Sequence, residues 1–442
     1  MATTTWPYDP VPMTLSRTLA ADLPAQVDAP VRVQGWLHRR RRLSAVAFAV
    51  VRDRSGLVQV VVKSPDTRAL LDALGEETVV EVRGQCVANP QAPGGVEVVD
   101  PEIEPLGEPS ATPPVELWRP ELSVSLPTLL DQAATTWRHP ARQAVWQLAA
   151  ASLRGFRDTL SARGFTEVQT PKIVAGSTES GATVFTLDYF GRPAYLAQSP
   201  QFYKQTLVGV FERVFEVGPV FRAEPHDTVR HLAEYVSLDA EMGFVRDHRD
   251  VLETLRDTVA GMVEAVHAYA PREVQLTGAE LPEVPAEIPV LHFRDALHLV
   301  GADPDEPDLA PEHERLLGEW GRREHGSDFV AIEGYPMVKR PFYTHPDPDE
   351  PRWSRSFDLL FRGLELVTGG QRLHRHSDYL AALQGRGEPL APYATYVDTF
   401  RYGVPPHGGF AIGLERWTAR LLGADNVRTA TLFPRDLHRL AP

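Results

Sequence analysis

Phe221-Arg222-Ala223-Glu224, answered late in the chain by Gly413-Leu414-Glu415-Arg416, is the pair of stretches on which the fold turns. Each sets an arginine close to a carboxylate at the end of an apolar run. A guanidinium fork takes two phosphate oxygens at once, which a lysine cannot do, and a nearby glutamate can accept from an adenine amino group. One such pairing would mean little. Two of them, with glycines and further carboxylates between, point to an enzyme that holds a nucleoside triphosphate bent over a second substrate.

Outward from these stretches the chain reads as an α+β domain. Segments 194–196, 213–221, 236–244, 357–366 and 409–414 have strand composition. Within 140–163, Val145, Leu148, Ala149, Leu153, Phe156 and Leu160 recur at helical spacing, and a strand at 165–173 follows, interrupted by Pro171. A second helix spans 251–268. Segment 271–326 is rich in proline and acidic residues and reads as a peripheral insertion. Upstream, five short strands and one helix between 31 and 104 suggest a small Greek-key barrel of the oligonucleotide-binding type. The division expected is an extension at 1–13, the barrel domain at 14–108, a proline-rich linker or hinge at 109–139, and a catalytic domain at 140–442.

Composition narrows the class. A chain of 442 residues exceeds what one core usually supports, and 43% apolar with 24% charged residues is that of a soluble globular protein. The single cysteine, Cys86, excludes an intramolecular disulfide and a cysteine-built metal site. No apolar run has signal-peptide or membrane-spanning length, so the expected location is the cytoplasm, with no membrane partner. A net charge of -14 argues against indiscriminate nucleic-acid binding. Segment 30–70 nevertheless holds nine basic residues against two acidic ones, an excess of seven. That run is either a footprint for a phosphate backbone or the solvated rim of a strand.

The helix and strand closing on Pro171, the Phe-Arg-Ala-Glu strand with its return strand, and Gly408 to Arg416 occur in the order of three motifs. In this the chain resembles a class II aminoacyl-tRNA synthetase, and within that class an aspartyl-tRNA synthetase of the archaeal type. The resemblance runs from about Pro30 to Pro442. It implies an antiparallel catalytic sheet with flanking helices, an N-terminal OB-fold β-barrel that binds the anticodon, and a homodimer formed through the first motif. The implied chemistry is attack of the aspartate carboxylate on the α-phosphate of ATP, giving an aspartyl-adenylate and then aminoacyl transfer to tRNA. That nucleophile is ionised at neutral pH, so arginines and metal-binding carboxylates should matter more than a general base.

Residue by residue, the resemblance places Arg222 on the α-phosphate and the substrate carboxylate, Glu224 on the adenine, and His231 and Arg416 near the γ-phosphate. Tyr235 lies under the base, and Arg230, Leu232, Glu365 and Gly413 complete the ATP site. Asp358, Glu365 and Thr368 would hold Mg2+ as hard oxygen ligands. Asp358 and Glu365 lie seven positions apart, so within one strand they would face opposite ways unless a bulge intervenes. For aspartate, Lys204 and Arg372 would grip the side-chain carboxylate and Glu179 and Gln201 the amino end, with Arg222, Thr368 and His407 at the border. The lysine and arginine pair favours aspartate over asparagine, which has no charge to offer. Trp36, His38, Arg39 and Pro93 are the expected anticodon contacts. Residues near His38 and Pro93 are expected to decide whether tRNA(Asn) is charged as well as tRNA(Asp), with a separate tRNA-dependent amidotransferase then acting on the mischarged product. The competing readings are an asparaginyl-tRNA synthetase or asparagine-forming paralogue, and a non-catalytic tRNA-binding paralogue. The last should have lost one of Arg222, Glu224, Glu365 or Arg416.

Overall fold

The computed structural model describes residues 15–176 and 183–441. Glu179 and the 1–13 extension lie outside them. The chain divides into two units, Met1–Ser125 and Leu126–Pro442.

The first unit is a closed five-stranded barrel. Strand Pro30–Arg42 alternates buried and half-buried residues until a bulge between Leu37 and Arg39 lets it curl from one neighbour to the next. Val33, Val51, Val60, Val82 and Val98 fill the interior, and Cys86 is a buried member of the same core. Part of the basic run is paired with carboxylates of the same unit, Arg52 in the interior and Arg42 at the surface. Arg32 pairs with buried Glu81 at 2.7 Å, Arg52 with buried Glu77 at 2.7 Å, and Arg42 with Asp72 at 2.8 Å.

The second unit is built on an eight-stranded sheet. Its six central strands are antiparallel, as expected, and at the two edges Thr166–Glu167 and Val290–His292 pair parallel with their neighbours. Helices Pro140–Ala162 and His248–Tyr269 cover one face with Leu160, Leu255, Val259 and Met262, against Phe215, Leu238 and Phe410 of the sheet. Close helix approach is allowed by Gly155, where a Cβ would lie 2.7 Å from the Met262 Cα.

Three boundaries differ from the sequence reading. Residues 126–139 of the expected linker are largely helical and belong to the second unit, because Trp137 donates to the Leu432 carbonyl at 2.7 Å. Segment 271–326 is not peripheral, since it supplies the edge strand Val290–His292 and the helix Pro311–His325. The strand expected at 357–366 is two strands, Ser356–Phe361 and Glu365–Gln371. Arg362 and Gly363 turn between them with φ of 50° and 70°. An arginine rarely signals a left-handed turn, which is why the sequence did not reveal it.

Candidate active site

Strand Arg213–Phe221 pairs with strand Glu234–Gly243 from Arg213 opposite Met242 to Phe221 opposite Glu234. Just past the paired end, the Arg222 amide donates to the Ala233 carbonyl at 2.8 Å, fixing the start of the connecting loop. Strand His407–Gly413 lies beside the second of these and runs into helix Leu414–Leu421, so Glu415 and Arg416 occupy the first turn of that helix.

A cavity of about 320 Å³ opens over this junction. Its lining includes all nine residues assigned to ATP: Arg222, Glu224, Arg230, His231, Leu232, Tyr235, Glu365, Gly413 and Arg416. Thr368 and Ser237 line it too. The Arg222 guanidinium lies 5.7 Å from the centre of the Tyr235 ring. Arg416 donates through Nε to the Arg230 carbonyl at 3.3 Å and through Nη1 to the Glu365 carbonyl at 3.2 Å. Burial, followed by the Arg416 charge, pushes His231 down to about 4, so the imidazole is neutral near pH 7. Its Nδ1 is 2.6 Å from the Thr228 hydroxyl.

Glu415 is the titratable surprise of this wall. It is buried, both carboxylate oxygens face the Val236 amide at 3.0 and 3.2 Å, and burial pushes its pKa up to about 7 from 4.5. The folded protein therefore keeps a proton there that the unfolded chain gives up near 4.5, so stability falls as pH rises between those values and is level above about 7. Glu415→Gln keeps an acceptor for Val236 without the charge. Its stability relative to the parent should rise by on the order of 3 kcal/mol between about pH 5 and about pH 8 in urea titrations. A difference that stays level over that range would show the carboxyl to be ionised throughout.

The two carboxylates expected at a metal meet across the hairpin and not along one strand. Asp358 is opposite Thr368 and Leu360 opposite Glu365, with the register shift falling at Leu366. That shift brings Glu365 to the face shared by Asp358 and Thr368. Arg340, stacked 3.9 Å over the Tyr335 ring, donates to Asp358 Oδ2 at 2.9 Å. Oδ1 of Asp358 is buried with no hydrogen-bond partner among the described residues. The Glu365 carboxyl is pushed up by burial and then by Asp358. An orphaned carboxylate oxygen beside a second carboxyl of raised proton affinity fits a divalent cation. No group of three or more histidine, cysteine, aspartate or glutamate side chains suited to a metal occurs among the described residues.

Of the expected aspartate residues, Arg222 and Thr368 line the cavity, while Lys204 is tied to its wall through Asp239, whose Oδ2 accepts from the Ser237 hydroxyl at 2.5 Å. Lys204 is buried, with Nζ at 3.0 Å from Asp239 Oδ1 and 3.2 Å from Glu241 Oε2. Arg372 donates through Nε to Glu241 Oε1 at 3.1 Å and through Nη2 to the Gly409 carbonyl at 3.1 Å. The two cations thus converge, but on the protein's own Glu241, and with Asp239 the quartet is neutral. Burial alone would raise Glu241, but Arg372 and Lys204 outweigh it and hold the carboxyl below its ordinary value. Gly409 is required here because a Cβ would collide with the Glu241 carboxylate. Gln201 is buried with its Nε2 unpartnered among the described residues. His407 does not border the cavity. It is fully buried, stacked on Phe400, with Nδ1 donating to the Pro405 carbonyl at 2.9 Å, and burial pushes it down to about 4.

Asp239 and Glu241 escaped the sequence reading. Their signal was two acids, two residues apart, on one face of an otherwise apolar strand. In the barrel, Arg39 lies over Trp118 at 4.1 Å and Pro93 is exposed at a tight turn, but His38 is buried 3.7 Å from Glu77. His38 therefore offers no surface to an anticodon and could act only through its neighbours.

An antiparallel sheet whose hairpin and strand-to-helix junction enclose an arginine-rich nucleotide cavity is the hallmark of a class II aminoacyl-tRNA synthetase. Residues 125–437 match the family model described as tRNA synthetases class II (D, K and N), and residues 31–106 that of the OB-fold nucleic acid binding domain. The chain is 46% identical to the aspartate--tRNA(Asp/Asn) ligase of Thermus thermophilus, over 96% of this chain and 100% of that one. It is also 46% identical to the enzyme of the same name from Deinococcus radiodurans, over 97% and 99%. Among solved structures, the asparaginyl-tRNA synthetase of Pyrococcus horikoshii complexed with asparaginyl-adenylate superposes with a TM-score of 0.90 at 31% identity, covering 97% of this chain and 100% of that one. The chain belongs to the class II tRNA synthetase family of the D, K and N type.

Proposed function

We propose that this protein ligates L-aspartate to tRNA(Asp) through an aspartyl-adenylate, at the expense of ATP, and charges tRNA(Asn) as well. The observation that carries the reading is the convergence of Lys204 and Arg372 on Glu241, a cluster joined to the cavity wall by the polar contacts that run through Asp239 to Ser237. In the first step an oxygen of the substrate α-carboxylate bonds to the α-phosphorus of ATP and the bond to pyrophosphate breaks. A terminal ribose hydroxyl of the tRNA then takes the aspartyl group and AMP leaves. Arg222 neutralises charge building on the α-phosphate, while Tyr235 and Arg416 hold the base and the polyphosphate bent. Mg2+, held by Asp358 and Glu365 with the Thr368 hydroxyl nearby, would draw charge off the phosphates. Glu179 would complete the amino-group site.

The names of the relatives support both tRNA substrates, and the OB-fold domain supports an anticodon contact made by Trp36, Arg39 and Pro93. A homodimer through the first motif, and a downstream amidotransferase for aspartyl-tRNA(Asn), complete the proposal. A non-catalytic paralogue is disfavoured because Arg222, Glu224, Glu365 and Arg416 are all present. The likeness to an asparaginyl enzyme keeps asparagine as the rival substrate. Aminoacylation of both purified tRNAs with each amino acid decides the matter. Aspartate should be transferred to both, with efficiencies within about a hundredfold. Transfer of asparagine would overturn the substrate, and a larger preference for tRNA(Asp) would overturn the dual specificity.

A further inference from the structure

We infer that Glu314, on the helix Pro311–His325 of the segment first read as a peripheral insertion, is a positioning residue for the ATP site. The inference rests on the reading of the cavity as a nucleotide site. Glu314 is buried, and its Oε2 accepts two hydrogen bonds, from the Glu365 amide at 2.9 Å and from Arg230 Nη1 at 3.2 Å. Arg416 joins the same two residues from the other side, through the Arg230 carbonyl at 3.3 Å and the Glu365 carbonyl at 3.2 Å. The four form a closed circuit, Glu314 to Arg230 to Arg416 to Glu365 and back. Three of its members line the cavity, and Glu314 does not.

Two features show that the helix is docked against the turn before Glu365 and does not merely cover the sheet edge. A Cβ on Gly318 would lie 2.5 Å from the Gly363 amide and 2.6 Å from its Cα, so the helix backbone rests directly on the turn that precedes Glu365. Gly363 is itself in the left-handed region at φ 70°, with the Glu314 carbonyl 3.3 Å from where its Cβ would be. The turn is thus pinned by its backbone to the helix that carries Glu314. A buried carboxylate partnered by one cation and one amide is costly to leave unpaired, so Arg230 is held where it is while its guanidinium borders the cavity. Through Arg230 and Glu365, Glu314 sets where the polyphosphate end of the nucleotide is gripped. Aspartate, bound around Arg372, is left untouched.

The decisive variants are Glu314→Gln, which keeps an oxygen for the Glu365 amide but removes the charge facing Arg230, and Glu314→Ala, which removes both. In aspartate-dependent pyrophosphate exchange, E314Q should raise KM for ATP by roughly tenfold with KM for aspartate within about twofold. Independently of turnover, the rise in melting temperature that ATP and magnesium give without aspartate should shrink in E314Q and vanish in E314A. The double variant R230A/E314Q should bind ATP no worse than R230A alone, since Glu314 acts through Arg230. Full additivity, an unchanged KM for ATP in E314Q, or parallel rises in both KM values would overturn the inference. If E314A does not fold, E314Q and the double variant still decide. Absence of any aspartate-dependent exchange in the parent protein would instead sink the proposed function, and the ATP-induced melting shift would still report on Glu314.

Discussion

Arg372→Lys is expected to lower kcat/KM for aspartate by about a thousandfold while leaving KM for ATP within about threefold. The charge is retained, so the loss measures geometry. Arg372 spends Nε on Glu241 and Nη2 on the Gly409 carbonyl, and an ammonium on a shorter reach cannot make both bonds and still offer a flat edge to a substrate carboxylate. Because the quartet with Lys204, Asp239 and Glu241 is neutral, selectivity for aspartate cannot come from an excess of positive charge. It must come from donors that an incoming carboxylate can take and an amide, with its own donors, cannot satisfy equally. Lys204 is encircled already by Asp239, Glu241 and the Ala240 and Phe410 carbonyls at 3.0 to 3.4 Å. Arg372 Nη1 makes no hydrogen bond among the described residues, and it is the natural point of contact. Pyrophosphate exchange at varied aspartate measures the effect, and a loss of less than tenfold would remove Arg372 from the substrate grip.

What the sequence made legible follows from where its signals are local. The strand 213–221 was readable because Val214, Phe215, Val217, Val220 and Phe221 give it strand composition despite Gly218 and Pro219, and it matches Arg213–Phe221. That Arg222, Glu224, Glu365 and Arg416 belong together was legible because they lie at ends of elements, where polar residues break an apolar pattern, and all four line one cavity. Glu241 and Asp239 were not, because their meaning depends on Lys204 from a helix and Arg372 from another strand, partners that only the tertiary fold brings together. The turn at Arg362 and Gly363 was hidden for a related reason. Its left-handed arginine is held by bonds to Asp328, the Arg420 carbonyl and the Glu280 carbonyl, all distant in sequence. The same gap concealed the role of the helix carrying Glu314, since a proline-rich acidic stretch looks the same whether it wanders over the surface or buttresses a site. The basic run of the barrel shows the opposite failure, a visible signal read too simply. Arg32, Arg42 and Arg52 answer to carboxylates of the same unit, and the charge left for a polynucleotide is smaller than the count implied.

Arg222→Lys should lower the maximal rate of aspartate-dependent pyrophosphate exchange by about two to three orders of magnitude, with stability within about 0.5 kcal/mol of the parent. The two halves of this expectation have separate origins in the structure. Arg222 is tied into the hairpin by its backbone, whose amide reaches the Ala233 carbonyl, and this bond survives any side-chain change. Its side chain is exposed on the cavity wall, so little packing is lost. In the reaction, however, negative charge redistributes over the α-phosphate as the new bond forms and pyrophosphate departs. A guanidinium held 5.7 Å from the centre of the Tyr235 ring can span two oxygens of that group in one plane. A lysine supplies the charge without the span, and the deficit should fall on the rate more than on KM for either substrate, because the second oxygen gains its charge in the transition state. Rapid-quench measurement of adenylate formation separates the step from product release. Should the lysine variant form adenylate at more than about a tenth of the parental rate, Arg222 would be binding ATP and not stabilising the transfer.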